Sequence, residues 1–205
     1  FLSYPEGELA RLLVHELAHQ KIYARDDTAF NESFATAVER IGGARWLERH
    51  ASEAARREYA AFDSRRADFR SLTRATRKAL AEVYDPQAAW AGDSAALQGR
   101  KAAVMDGFRA RYAELRTQWG IPPGQNAPYD RWVAEANNAA LGAQGAYDDL
   151  VPAFEALFTR LCAGQADCTD ASRTNTWRQF YDAVAQLAAL PLAERRAQLD
   201  VMANQ

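Results

Sequence analysis

The sequence has little of what marks several large classes of protein. No apolar run approaches the ~18 residues that a membrane-spanning helix needs. Its 25 basic residues are balanced by 27 acidic ones, so the net charge is −2 and nothing indicates nucleic-acid binding. Runs of β-branched residues, internal repeats and low-complexity tracts are also missing. What remains is a chain of 205 residues, long enough for one sizeable core or two small ones.

The residues that are abundant, Ala, Arg, Glu and Leu, favour helices. We therefore predict an all-α fold. A first helix is expected over 6–24 and a second over 28–41, where Gly42-Gly43 would stop it before a short helix over 44–50.

Two longer segments with apolar residues at helical spacing follow, over 52–84 and 93–119. Ser52 and Asp93 are suited to cap them, and Pro and Gly end both. They predict a long antiparallel helical hairpin over 51–124. Residues 1–50 and 125–205 would then form the catalytic core together.

The last part of the chain also reads as helical. Gly142 and Gly145 are expected to break its first two segments apart. The predicted helices there cover 128–141, 147–161, 172–190 and 192–202.

The most informative motif is His15-Glu16-Leu17-Ala18-His19. Residues i and i+4 share one face of a helix, so both imidazoles can reach one metal ion at about 2.0–2.1 Å. Glu16 would point beside the metal, where a general base is needed. A hydrolytic zinc ion takes three protein ligands and keeps one position open for water, and Glu32 of Asn31-Glu32 is a credible third ligand.

A plainer interpretation is that the motif occurs by chance in a helical protein. The surroundings favour the metal site. No helix breaker interrupts residues 8–24, and Asp26, Asp27 and Thr28 offer a turn and an N-cap before the helix that carries Glu32. The motif helix is expected to be buried beside the metal because five of its residues are uncharged: Leu12, Leu13, Val14, Leu17 and Ala18.

Several stretches together resemble the zinc aminopeptidase family of Gram-negative bacteria. They are Pro5–Arg11, His15–Gln20, Thr28–Ala35, Asn137–Ala139, and Tyr147 with Val151–Phe154. The resemblance covers most of the chain and implies a gluzincin, a zinc metallopeptidase with one His-His-Glu site. In the thermolysin-like pattern an aspartate four residues after the glutamate ligand orients a histidine, but here Thr36 occupies that place.

Other residues are candidates for the chemistry around the metal. Tyr147, after a glycine-rich break, is our candidate to stabilise the oxyanion, although the position also suits a core or helix-start tyrosine. Tyr129 is next in line, and His50 is interpreted as a surface residue. Asn137 and Asn138 would hydrogen-bond the substrate backbone, or else serve as structural amides.

Substrate choice stays open between an aminopeptidase and an endopeptidase. An aminopeptidase needs a carboxylate for the free amine, and the candidates are Glu39, Asp148 and Asp149. The competing hypothesis is a non-catalytic helical binding or scaffold module with a structural or vestigial metal site. Glu16 argues against it, because a purely structural site has no use for a base.

The cellular setting is inferred from the resemblance, which implies an exported periplasmic protein, often lipid-anchored, with a substantial N-terminal portion. Since Phe1 is almost directly followed by the motif helix, we expect the chain to be the C-terminal part of a longer precursor that carries any signal or anchor. The two cysteines, Cys162 and Cys168, flank a short polar segment. We favour a disulfide between them, as in an oxidising compartment, over two free thiols.

Overall fold

The computed structural model describes residues 4–163 and 172–204. Within those residues the chain is helical and has no strand, which confirms the predicted all-α class. No helix among them is long and apolar enough to cross a membrane. In chain order the helices are α1 (Glu6–Lys21), α2 (Thr28–His50), α3 (Glu53–Val83), α4 (Ser94–Gln118), α5 (Asp130–Glu135), α6 (Asn138–Asp148), α7 (Val151–Ala163), α8 (Ser172–Ala189) and α9 (Leu192–Ala203).

The chain divides into two compact units. Unit 1 joins Phe1–Tyr59 to Gly145–Gln205, and unit 2 is Ala60–Gln144. The functional division into a catalytic core and a hairpin excursion stays a prediction.

The core of unit 1 is aromatic and ties α2 to α7 and α8. Phe30, Phe34, Phe154 and Phe180 are fully buried there. The ring of Phe154 lies 5.2 Å from that of Phe30 and 5.8 Å from that of Phe34, both in edge-on arrangements that aromatic pairs favour. Because α2 contributes two of these rings, its first turns are fixed by packing against α7 and α8.

The expected stop at Gly42-Gly43 was wrong, since α2 continues through both glycines to His50. Beyond them Leu47 packs with Ala51 and its neighbours in a small cluster, and this packing holds the last turns of the helix in place. A Cβ on Gly42 would come within 3.2 Å of a Val14 methyl group. Gly42 therefore serves the close approach of α1 to α2 rather than a helix end.

The motif helix is buried on one side only. Gly7, His15 and Ala18 are buried, whereas Leu13 is 53% and Leu17 is 65% exposed. The expectation that the uncharged residues bury this helix was wrong for these two leucines. Their side of α1 faces away from α2, against which the histidine side packs.

A buried ion pair connects the start of α2 to α9. Asp27 caps α2 by accepting a hydrogen bond from the Phe30 N–H at 3.0 Å, which confirms the predicted cap. Its carboxylate also accepts from Arg195 at 2.6 Å and from Arg196. Arg195 in turn donates to the backbone carbonyls of Leu187, Ala188 and Leu190 at 2.8–3.1 Å. Residues far apart in sequence thus meet at the α1–α2 turn.

The predicted antiparallel hairpin is formed by α4 and by the greater part of α3, which lies in unit 2. Trp119, just after α4, donates its indole N–H to Asp68 of α3 at 2.9 Å. Phe69, Leu72 and Leu80 of α3 share a buried cluster with Met105, Phe108 and Tyr112 of α4. The predicted caps are confirmed, since Ser52 accepts from the Ala55 N–H and Asp93 from the N–H groups of Ala95 and Ala96.

The segment after the hairpin differs from the prediction. Instead of one helix over 128–141, α5 ends at Glu135 and α6 begins at Asn138. The Asn137 side chain accepts hydrogen bonds from the N–H groups of Ala139 and Ala140 at 2.9 and 3.0 Å, and so starts a new helix. The new helix runs through Gly142 and Gly145 to Asp148, so the expected glycine break was also wrong.

Candidate metal centre

The site is built where α1 and α2 run antiparallel after the short turn that joins them. Arg11, His15 and His19 follow one another at intervals of four on α1, so they share one face. Glu32 and Glu39 are seven apart on α2, which is two helical turns on one face. The antiparallel arrangement sets Glu39 beside Arg11, Glu32 beside His19, and His15 between the two glutamates.

Asn31 fixes the register of this pairing. Its amide Nδ2 donates to the Ala24 carbonyl and its Oδ1 accepts from the Ala24 N–H, both at 2.8 Å. The backbone N–H and C=O of Ala24 are thus paired with a side chain instead of within a helix. This explains why α1 ends at Lys21 rather than near residue 24. Buried Asn31, the residue directly before Glu32, therefore anchors the turn between α1 and α2.

Three ligand-type atoms converge at the end of α1. His15 Nε2 lies 3.2 Å from His19 Nε2 and 3.3 Å from Glu32 Oε2. His19 Nε2 lies 3.6 Å from the same carboxylate oxygen. Among the described residues, these three form the cluster of His, Cys, Asp and Glu side chains that could hold a metal ion.

These separations match those of a tetrahedral metal ion. Two ligands about 2.05 Å from a tetrahedral zinc ion lie about 3.3 Å apart, by the geometry of the coordination shell. The observed separations of 3.2, 3.3 and 3.6 Å surround that value. Two imidazoles and one carboxylate are also the ligand set of catalytic rather than closed structural zinc sites. The residues present thus fit zinc in both geometry and chemistry.

The imidazole of His15 is held from its other side. Its Nδ1 lies 2.9 Å from Glu39 Oε2, and Arg11 Nε donates to the second oxygen of that carboxylate at 2.8 Å. Burial by itself would lower the pKa of His15, but the hydrogen bond and charge of Glu39 raise it overall. Burial would raise the pKa of Glu39, and the bond to His15 with the charge of Arg11 lowers it instead.

His19 differs from His15 in this respect. Its Nδ1 is buried and has no hydrogen-bond partner among the described residues. The Nε2 atoms of both rings face the same point, while only His15 has a carboxylate on its Nδ1. The two histidines are therefore not equivalent.

Tyr147 and Glu16 both lie near the three ligand-type atoms. The Tyr147 ring is stacked 6.4 Å from that of His15, and its side chain is 43% exposed. Its pKa is raised by burial first, then by the charge of Glu32 and a hydrogen bond to it, and also by the charge of Glu16. Glu16 is exposed. The base predicted from the motif and the predicted tyrosine thus face one region.

Ser33 positions Tyr147. Its hydroxyl donates to the Ala146 carbonyl at 2.8 Å and accepts from the Leu150 N–H at 3.3 Å. Ser33 is fully buried and directly follows Glu32. The end of α6 is therefore held against α2 beside Glu32.

Other residues singled out in the sequence are engaged elsewhere. Asn137 caps α6, and Asn138 donates to the Tyr84 hydroxyl at 3.0 Å, both within unit 2. Tyr129 stacks on Phe69 at 3.9 Å, also in unit 2. Substrate contacts by the two asparagines stay a prediction.

The carboxylates considered for a substrate amine already have partners. Glu39 contacts His15 and Arg11, as described above, and buried Asp148 pairs with Arg40 at 3.4 Å. His50 is exposed at the end of α2, which confirms that it is a surface residue. Cys168 lies outside the described residues, so the disulfide with Cys162 stays a prediction.

Sequence reasoning did not find the role of three residues: Glu39 as the partner of His15, Arg11 as the partner of Glu39, and Ser33. A signal for the first two was present in the spacing. Once α1 and α2 are taken as antiparallel, the partner of His15 must lie one or two turns after Glu32, and Glu39 is the acidic residue there. No comparable pattern marks Ser33.

Comparison with known proteins identifies a family but no individual relative. No curated protein and no solved structure matches the chain. A family model described as "Putative aminopeptidase" matches residues 1–199, which include every residue of the candidate metal centre. The chain therefore belongs to this aminopeptidase family.

Proposed function

We propose that the protein is a zinc-dependent peptidase of the gluzincin type, which hydrolyses peptide bonds. One observation carries the proposal: the two Nε2 atoms and the Glu32 oxygen lie at the separations expected of three ligands around one tetrahedral ion. His15, His19 and Glu32 would hold a single zinc ion. Membership of the aminopeptidase family supports peptidase activity, whereas the zinc ion and the mechanism are part of our proposal.

A bound zinc ion would supply a Lewis acid that polarises a peptide carbonyl and makes water more acidic. Glu16 would accept a proton from the attacking water and pass it to the leaving amine. Its exposed position on the motif helix leaves it free for this transfer. The Tyr147 hydroxyl would donate a hydrogen bond to the oxyanion that develops on the substrate.

The competing proposal, a scaffold with a structural metal site, fits the arrangement less well. A structural zinc ion is normally closed by four protein ligands. Here three ligand-type atoms come together, with exposed Glu16 and half-exposed Tyr147 near them. That arrangement suits a site that admits a substrate.

The decisive experiment measures zinc and hydrolysis on the same preparations. Wild type should contain one zinc ion per chain and cleave fluorogenic peptides. Glu16→Gln should keep zinc and lose turnover by about 10²–10⁴-fold, the usual contribution of a general base. His19→Ala should lose both, whereas His50→Ala, which removes an exposed histidine, should lose neither.

Two outcomes would contradict the proposal. A wild-type protein that takes up no zinc would remove the metal site. A Glu16→Gln variant that cleaves a confirmed substrate at the normal rate would remove the mechanism.

The same peptide panel, prepared with free and with blocked N-termini, separates the two peptidase types. The family name leads us to propose cleavage of peptides with a free N-terminus. Equal cleavage of blocked peptides would instead identify an endopeptidase. We also propose a periplasmic location, on the basis of the sequence resemblance and the expected disulfide.

A further inference from the structure

We infer that Glu39, held by Arg11, is the positioning residue of the metal centre, and that it makes His15 the pre-oriented ligand of the two histidines. The inference rests on the proposed function, because it concerns the affinity of the same site for zinc. It assigns a role to two residues outside the proposed ligand set.

The first argument is the geometry of the His15 ring. Glu39 Oε2 lies 2.9 Å from Nδ1, while Nε2 faces His19 and Glu32. A carboxylate on Nδ1 keeps the proton there and leaves the Nε2 lone pair for the metal. The contact also fixes the rotation of the ring.

The second argument is that Glu39 itself is fixed. It is buried, and its second oxygen receives Arg11 Nε at 2.8 Å and the Arg11 terminal nitrogen at 2.7 Å. A fork of two N–H groups on one carboxylate restricts its rotation more than a single bond would. Arg11 thus holds the Glu39 carboxylate in position to contact His15.

The third argument comes from position along α2. In the thermolysin-like pattern the orienting carboxylate comes four residues after the glutamate ligand, and Thr36 stands there in this chain. Glu39 comes one further turn along the same face, opposite His15. The orienting carboxylate therefore lies one helical turn further along α2 than in the thermolysin-like pattern.

The experiment measures zinc affinity by competition with a chelator, at one fixed pH and on folded protein. Glu39→Gln should weaken zinc binding by about 10- to 100-fold, the usual effect of removing such a partner. Arg11→Met leaves Glu39 in place and should weaken binding by less. Two controls should leave affinity unchanged: Thr36→Val, at the position of the other pattern, and Glu155→Gln, which makes the same charge change at a carboxylate paired with Arg40.

A spectroscopic signature distinguishes positioning from a general structural effect. The chain has three histidines, so labelling with ¹⁵N-histidine gives few signals. In zinc-loaded wild type the Nδ1–H of His15, which has a carboxylate partner, should exchange with solvent more slowly than that of His19, which has none among the described residues. In Glu39→Gln the slow signal should shift and lose its protection.

The outcomes are distinguishable. A wild type that binds no zinc overturns the proposed function, and this inference with it. A wild type that binds zinc, with Glu39→Gln binding it equally well or with no protected His15 signal, overturns this inference alone. If Glu39→Gln fails to fold, unchanged zinc affinity in Arg11→Met has the same consequence.

Discussion

At the scale of single residues, the contacts of each side chain determine how it is placed in the candidate site. Tyr147 illustrates this, because its ring lies against His15 while its hydroxyl is in reach of Glu32. Ser33, next to Glu32, holds the backbone beside Tyr147 through the Ala146 carbonyl. The Tyr147 hydroxyl is therefore placed both by the stacking of its ring on His15 and by the buried contact of Ser33 with the neighbouring backbone.

Tyr147→Phe should keep zinc and substrate affinity but lower turnover. Loss of one donor to an oxyanion typically costs about 10²–10³-fold in kcat. Steady-state kinetics on a cleaved peptide, with zinc content measured in parallel, check this. Tyr23→Phe removes a hydroxyl from an exposed tyrosine of the same unit and should leave kcat unchanged. Normal turnover in Tyr147→Phe would transfer the oxyanion role to another residue.

The candidate site could be predicted from sequence only where spacing within one helix determined it. The prediction of His15 and His19 required only the helical period. The prediction of Glu32 also required the length of the turn between the two helices. Glu39 required the pairing of two helices, which single-helix spacing does not give. Ser33 required knowledge that α6 returns to α2 over more than a hundred residues, so no local pattern could indicate it.

At the scale of elements, α2 is the central support. It carries Glu32 and Glu39 on the side of α1 and two phenylalanines on the side of α7. Its length was underestimated because Gly42-Gly43 reads locally as a stop, whereas packing beyond the glycines outweighs their low helix propensity. The α3–α4 hairpin was predictable because its caps and apolar stripe agree with its packing.

The two glycines differ in the room around them, which gives a matched pair of variants. A Cβ on Gly43 would meet Arg11 Cβ at 4.0 Å, an ordinary contact, whereas one on Gly42 would meet Val14 at 3.2 Å. Gly43→Ala should stabilise the protein by about 0.5–1 kcal/mol through helix propensity. Gly42→Ala should gain less, because Val14 must shift. Denaturant unfolding compares the two, and a larger gain for Gly42→Ala would contradict the packing described here.

At the scale of the whole molecule, unit 1 is made from both ends of the chain. One of its long-range connections is the pair of Asp27 and Arg195, whose side chains are 1% and 6% exposed. A buried charge is tolerated when its partner and further hydrogen bonds are present, and Arg195 has both.

Arg195→Met should lower the free energy of unfolding by about 3 kcal/mol, because it leaves buried Asp27 short of a partner and frees three backbone carbonyls. Arg196→Met removes a more exposed arginine from the same carboxylate and should cost about 1 kcal/mol or less. Urea unfolding followed by circular dichroism measures both. Equal costs would show that burial does not distinguish the two arginines.

The contact between Asp27 and Arg195 also bears on the order in which the protein is made. The two residues are 168 positions apart, so the motif helix and Glu32 are synthesised long before α9. Until then Asp27 lacks its buried partner, although the ligands beside it have already been synthesised. The turn that leads into the helix of Glu32 thus gains its buried ion pair only after α9 has been synthesised.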